Sequence, residues 1–279
     1  MKRLFGRECN LPDMRPELKE EAADIIHDFI ASKVEESGGR GVVIGLSGGV
    51  DSALVAKLCA EAVGKEKVLA LFLPIKSTSS RDRADVERLS RELGIELVAH
   101  DIDDIVDAFN NTVPYLDSKE LLGNVMARTR MTILFHYAKL MGRVVMGTSN
   151  KSELLMGYFT KFGDGGADFA PIGDLYKTEV WALARKVGLP DYIVDKVPSA
   201  GLWPGQTDEG EMGISYSNLD RILMGFEMSF PPEEIVKRTG IDAKMVEEVW
   251  CKHRHSVHKR KMPLVPKVGL RTIGLDWRE

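Results

Sequence analysis

Cysteine is scarce: three in 279 residues, Cys9, Cys59 and Cys251, with no C-x-x-C pair. An odd count without paired spacing excludes a disulfide framework and offers no zinc site. No apolar run approaches the roughly 20 residues that span a bilayer. Residues 1–8, Met-Lys-Arg-Leu-Phe-Gly-Arg-Glu, lack the apolar core of a signal peptide. A basic excess is missing as well, with 38 Lys and Arg against 42 Asp and Glu and a net charge of −4. That balance argues against a broad nucleic-acid-binding face. Neither an internal repeat nor a low-complexity tract is present. These absences leave an intracellular, cytoplasmic protein as the expectation, with no membrane and no nucleic-acid partner. The 44% apolar content is enough for one large core, or a core with a small appendage.

The order of elements predicts an α/β fold with a doubly wound parallel sheet flanked by helices. An amphipathic helix is expected over 15–36, with Leu18, Ala22, Ile25, Ile26, Phe29 and Ile30 at helical spacing. Strands are expected at 41–46, 68–73, 95–99 and 143–147. Helices separate them, to about Val63, over 81–93 with a Ser79 or Ser80 cap, over 101–112 and over 118–141. Further helices are expected near 176–187, 218–227 and 242–255. The whole chain, 1–279, reads as a single domain, with the sheet at about 40–190 and a helical and loop region at about 191–279. The glycine-rich stretch 199–215 reads either as a mobile lid or as a plain surface loop. Cys59 falls on the first core helix as a small buried hydrophobe.

Ser47-Gly48-Gly49-Val50-Asp51-Ser52 follows the buried run Val42-Val43-Ile44-Gly45-Leu46 and opens a helix. A strand that turns through glycines into a helix N-terminus aims backbone N–H groups and partial positive charge at one point, which suits a polyphosphate. Asp51 is out of place beside phosphates unless a cation lies between them, so the segment reads as a phosphate loop that also holds a divalent metal. The loop has no lysine, which excludes a Walker A loop, and its glycine spacing is not G-x-G-x-x-G. Two rivals stay open, a plain glycine turn with no ligand and a hydrolase. Gly45-Leu46-Ser47-Gly48-Gly49 satisfies the G-x-S-x-G hydrolase elbow, with Ser47 as nucleophile.

After the fourth strand come Thr148 and, five residues on, Glu153. Asp51 and Glu153 are candidates for two carboxylates on one magnesium ion, a number that suits magnesium. Glu153 as a solvated helix residue is the alternative. The stretch 158–171 interleaves Tyr158, Phe159, Lys161, Phe162, Asp164 and Asp168 with glycines, a composition fit for ring stacking and charge pairing but not for a packed core. Lys177 opens a helix, where its ammonium can meet phosphate or simply face solvent. Lys252 to Lys261 is a dense basic run, suited to a solvated face or to an anionic substrate. Asn124 and Arg128 share a helix face, whereas Arg130 points about 200° away from Arg128.

The SGGxDS element resembles the pyrophosphate loop of the N-type ATP pyrophosphatases, which cleave ATP between the α and β phosphates. The run Gly123 to Met131, the Gly147-Thr148…Glu153 segment, the block Phe159 to Asp168 and Lys177 resemble the NAD synthetases within that superfamily. So do Asp208-Glu209…Gly213-Ile214-Ser215-Tyr216 and His258-Lys259-Arg260. The resemblance covers roughly residues 20–262 and implies ATP-dependent amidation of deamido-NAD to NAD. It implies that ATP is held by Gly45, Leu46, Ser47, Gly48, Gly49, Val50, Asp51, Ser52, Thr148, Lys177 and Ser199, with Mg2+ on Asp51 and Glu153. Ser199 stands where the family usually has threonine. For deamido-NAD the implied contacts are Arg128, Lys161, Asp168, His258 and Lys259. The resemblance also implies a homodimer with the dinucleotide at its interface.

The chemistry agrees with this reading. Adenylation of the nicotinate carboxylate makes AMP the leaving group, and the departing pyrophosphate needs cations such as Lys177 and magnesium. Ammonia then attacks, and Asp164 is the candidate base. Only 46 residues precede Ser47, so a glutaminase domain is not expected there and free ammonia is the expected donor. A separate glutaminase subunit stays open. Two other readings are kept: the same fold acting on a tRNA base or another small acid, and the Ser47 hydrolase.

Overall fold

The computed structural model describes residues 14–113, 118–199, 201–203 and 205–273. Cys9 lies outside them. Four strands form one parallel sheet: β1 (Val42–Gly45), β2 (Val68–Phe72), β3 (Glu96–Ala99) and β4 (Val144–Met146), in the order β3-β2-β1-β4. Val42 pairs with Val68 on one side and with Val144 on the other. Alternation along the strands feeds two cores. Val42, Ile44, Val68 and Ala70 face α1 (Ala22–Glu36), α2 (Val50–Val63), α3 (Ser80–Leu93) and α7 (Lys177–Lys186). Val43, Leu69, Leu71 and Val145 face α4 (Asp103–Thr112) and α5 (Lys119–Met141). Side chains of period two bury both faces at once, as a parallel sheet requires.

The strand order fixes where a ligand goes. The chain runs outward from β1 to β3 and then returns to place β4 on the free side of β1. The connections after β1 and β4 therefore leave in opposite directions, and their divergence opens a crevice at the C-terminal strand ends. Residues 47–52 and 147–153 form its two walls.

A third core lies outside the sheet. It joins α6 (Lys151–Met156), α10 (Tyr216–Glu227), α11 (Pro232–Thr239) and α12 (Ala243–His255) through Met156, Tyr216, Leu219, Leu223, Ile235 and Val249. Two short helices, α8 (Asp191–Val194) and α9 (Asp208–Met212), lie on the path to it. No helix among the described residues is long and apolar enough to cross a membrane.

Four local expectations shift. The first helix starts at Ala22 rather than at 15, because Pro16 lacks an N–H and the run Glu17 to Glu21 offers only Leu18 to a core. The helix expected at 218 starts at Tyr216, where the Ser215 side chain accepts from Asn218 N–H. Helices α8, α9 and α11 replace expected loop. The stretch 199–215, read as lid or surface loop, contains α9, capped by Thr207; its Ala200 and Pro204 lie outside the described residues. Cys59 is fully buried and its thiol is pushed well up by burial.

Gly41 opens β1 with φ +153°, and a Cβ there would lie 2.2 Å from the Lys67 carbonyl oxygen. Gly41→Ala is expected to destabilise the protein by about 2–3 kcal/mol through this backbone clash. A lowered denaturant midpoint at unchanged slope checks it.

Candidate active site

The loop after β1 is braced from within. Ser52 Oγ donates to the Gly49 carbonyl at 3.0 Å and accepts from Ser47 N–H at 3.2 Å, while the two hydroxyls lie 3.1 Å apart. Gly48 has φ +81°, with Val86 and the Lys196 ammonium 3.1 and 3.4 Å from where a Cβ would stand. Only glycine meets both constraints. Gly49 is the N-cap of α2, so the N–H groups of Val50, Asp51 and Ser52 have no acceptor within the helix and remain available to an anion. Gly45 and Leu46 lead into this turn from β1.

The wall after β4 begins with Thr148 and Ser149 and then caps α6 with Asn150. Asn150 is fully buried; its Oδ1 accepts from Glu153 N–H at 3.0 Å, and Glu153 Oε2 accepts from Asn150 N–H at 3.3 Å. This capping box holds the Glu153 side chain back over the helix start. Asn150 Nδ2 also reaches across the crevice to Asp51 Oδ1 at 2.9 Å. Sequence reasoning passed over Asn150, although N-x-x-E before an apolar run was the signal.

Lys177 closes the site from α7. Its side chain is 2% exposed, and its ammonium pairs with Asp51 Oδ2 and lies 3.9 Å from Glu153 Oε1. The two carboxylates and the ammonium expected around phosphate thus converge on one point. Burial alone would lower the Lys177 pKa, but Asp51 and Glu153 outweigh it and hold the ammonium above its ordinary value. Glu153 is the excess charge: burial raises its carboxyl well above the usual range, and Asp51 adds to the rise. Asp208, also missed, stands close by and accepts from Tyr216 OH at 3.1 Å and from Tyr158 OH at 3.3 Å. Burial is the main cause of its raised pKa.

A second group lies outward from this centre. Arg128 on α5 donates to the Lys161 carbonyl at 3.3 Å, and Lys161 Nζ donates to the His258 carbonyl at 2.8 Å. Arg130 faces elsewhere and donates to the Leu73 carbonyl at 3.0 Å. Asp168 sits at the edge of β4, where its Oδ2 accepts from Val145 N–H at 2.8 Å. Lys259 donates to the carbonyls of Gly157 and Phe159, both at 2.8 Å, and Arg260 donates to those of Leu154 and Leu155. The basic run thus partly serves as cations bound at the C-terminal end of α6, where the helix dipole favours them. Asp164 Oδ1 accepts from Thr160 N–H at 2.8 Å, and burial of its carboxyl raises its pKa. Ser199 Oγ accepts from Gly201 N–H at 3.1 Å. Among the described residues Ser47 Oγ meets Ser52 and Gly49, not the histidine that a hydrolase elbow needs.

Glu153→Gln is expected to stabilise the nucleotide-free protein. A carboxyl raised on folding contributes stability below its unfolded value and loses it as pH climbs through the folded value. The loss therefore begins above the ordinary 4.5 and grows toward neutrality. Removing the surplus charge should return on the order of 1 kcal/mol, or about 2 °C in Tm, at neutral pH and almost nothing below pH 4. Thermal melts of both proteins across pH check this.

The NAD synthase family model matches residues 22–263. The chain is 47% identical over 252 residues to the NH(3)-dependent NAD(+) synthetase of Methanosarcina acetivorans, covering 89% of this chain and 98% of that one. Among solved structures, NMN synthetase from Francisella tularensis superposes with a TM-score of 0.79 at 37% identity, covering 89% of this chain and 98% of that one. NH3-dependent NAD synthetase from Campylobacter jejuni, in complex with the nitrate ion, gives 0.77 at 36% identity over the same shares. The loop, the paired carboxylates and the buried lysine stand within the matched span, and the chain belongs to the NAD synthase family.

Proposed function

We propose that the crevice between β1 and β4 carries out the ammonia-dependent synthesis of NAD from deamido-NAD, the last step of NAD biosynthesis, with the following division of labour. The convergence of Asp51, Glu153 and Lys177 beneath the phosphate loop is the observation that carries it. As a ligase of this family the protein uses ATP as a substrate. The nicotinate carboxylate is a poor electrophile because expelling oxide from it is prohibitive. Its oxygen attacks the α-phosphorus of ATP, the bond to the β-phosphate oxygen breaks, and pyrophosphate leaves. Ammonia then attacks the acyl carbon and AMP departs, leaving the amide.

The chain's residues divide between the phosphates and the dinucleotide. Gly45 to Ser52 cradle the β and γ phosphates through the free amides of α2, with Thr148 and Ser199 adding hydroxyls. Lys177 supplies positive charge where pyrophosphate develops. Asp51 and Glu153 form a hard-oxygen pair of the kind magnesium prefers when phosphate oxygens and water complete its shell. Among the described residues no third His, Cys, Asp or Glu joins them in a ligand group. Magnesium held there would offset the charge of the departing pyrophosphate. Arg128, Lys161, Asp168, His258 and Lys259 are the proposed deamido-NAD contacts. The Asp164 carboxyl, its pKa raised by burial, is the proposed acceptor of a proton from ammonium. The exposed apolar groups Ile105, Phe109 and Leu121 on α4 and α5 support a homodimer through that face; sedimentation of the active enzyme as a monomer would overturn the dimer.

With ATP, magnesium, ammonium and deamido-NAD, the protein is expected to produce NAD, AMP and pyrophosphate in equal amounts. Nicotinate mononucleotide belongs in the same assay because one structural relative is named for NMN. Release of ADP and phosphate would refute chemistry at the α-phosphorus. Preference for the mononucleotide would move the substrate. Asp51→Asn is expected to slow adenylation by on the order of 100-fold at limiting magnesium, and an unchanged magnesium titration would remove the carboxylates from metal binding.

A further inference from the structure

Asp220 lies on α10, within the outer helical core and outside the crevice, yet it is fully buried with its carboxylate turned toward the site. Three donors meet it. Ser152 Oγ donates to Oδ1 at 2.5 Å, and Thr178 N–H and Oγ–H donate to Oδ2 at 2.9 and 2.8 Å. The Ser152 hydroxyl oxygen in turn accepts from Lys177 N–H at 2.9 Å. One carboxylate thus gathers the starts of two helices, α6 through Ser152 and α7 through Thr178.

The neighbours of these contacts in sequence are the working groups of the crevice. Ser152 precedes Glu153, and Thr178 follows Lys177. The first amides of α7 have no acceptor within their own helix; they are satisfied by Ser152 and Asp220 instead. A negative charge at that position also complements the helix dipole. Glu227, two turns further along α10, repeats the pattern at the rim, where it meets Lys151 Nζ at 2.9 Å and Tyr176 OH at 2.6 Å. Residues seven apart lie on one helix face, so α10 grips α6 and α7 at two levels.

We propose that Asp220 is a positioning residue for ATP activation: it sets the separation of Glu153 and Lys177 by fixing the beginnings of α6 and α7 to each other. Burial raises its pKa, while Ser152 and Thr178 oppose the rise and hold the acceptor in place. A charged group buried at the base of the helical layer would stabilise the fold less well than an apolar one of similar size. Its value lies in directional bonds that an apolar side chain cannot make.

The inference rests on the proposed ATP site, and the ATP-binding arm of its test does not depend on the acceptor. Asp220→Ala, Asp220→Asn and Ser152→Ala are compared at a temperature where circular dichroism shows each folded. ATP affinity is measured by calorimetry with magnesium, and steady-state kinetics follow for ATP, deamido-NAD and ammonium. Asp220→Ala is expected to weaken ATP binding by about tenfold and kcat/KM for ATP by on the order of 100-fold, the cost of a small misplacement. The KM values for deamido-NAD and ammonium should stay within about twofold. Asp220→Asn keeps an acceptor for Thr178 and should recover most of the loss. Ser152→Ala, which severs one arm, should cost about tenfold in kcat/KM for ATP. Wild-type ATP binding and kinetics in the folded Ser152→Ala and Asp220→Asn proteins, together with an Asp220→Ala protein altered only in Tm, would overturn the proposal. A wild type that binds ATP but makes no NAD, while Asp220→Ala loses ATP affinity, would defeat the substrate reading and leave the positioning role standing.

Discussion

Three side chains, Asp51, Glu153 and Lys177, sit together at the base of the crevice, the lysine buried and the carboxylates mostly so, and their charges do not cancel. Lys177 answers one carboxylate and is left 3.9 Å from the second. Such a group is costly in a folded protein, because a buried charge needs both a partner and hydrogen bonds to its remaining atoms. Much of the surrounding architecture supplies them. Asn150 donates to Asp51 while capping the helix that carries Glu153, and Asp220 anchors the helix that carries Lys177. The unmatched negative charge is a deficit that a cation accompanying a polyphosphate would correct. A group of this kind trades stability for the arrangement of its charges.

The sheet and the helical layer each supply part of this arrangement. Strands β1 and β4 are neighbours in parallel register, so the phosphate loop and the α6 cap leave adjacent strand ends at a fixed spacing. Lys177 comes from α7, which packs on the sheet through Val180, Leu183 and Ala184 and on the helical layer through Tyr176. The lysine therefore stands where two cores meet. A displacement of either one changes its distance to Asp51. The cations at the end of α6 work in the same direction: Lys259 and Arg260 draw the end of the helical layer onto Leu154, Leu155 and Gly157.

The sheet was readable from sequence because its strands are short, largely apolar runs bounded by glycine, proline or charged residues, and each fell within two residues of its place. The glycine turn from β1 into α2 was equally plain, since it lies in six consecutive residues. What stayed hidden has a common cause. Helices α8, α9 and α11 are short or strongly polar, and their signal is weaker than that of a long amphipathic face. Asn150, Asp208 and Asp220 act through partners distant in sequence. No window centred on Asp220 contains Ser152 or Thr178. For Lys259 and Arg260 the charge was legible but the carbonyls they meet were not, because a run of basic residues does not show which backbone oxygen each will reach.

The pairs that make the site are widely separated along the chain, Asp51 and Lys177 by 126 positions and Ser152 and Asp220 by 68. Synthesis from the N-terminus delivers the glycine turn early and its counter-ion much later, with the strut that aims the counter-ion later still. Synthesis runs at about 5–20 residues per second, so several seconds separate the emergence of the glycine turn from that of Lys177 and Asp220. The site is complete only when the last long-range contacts close.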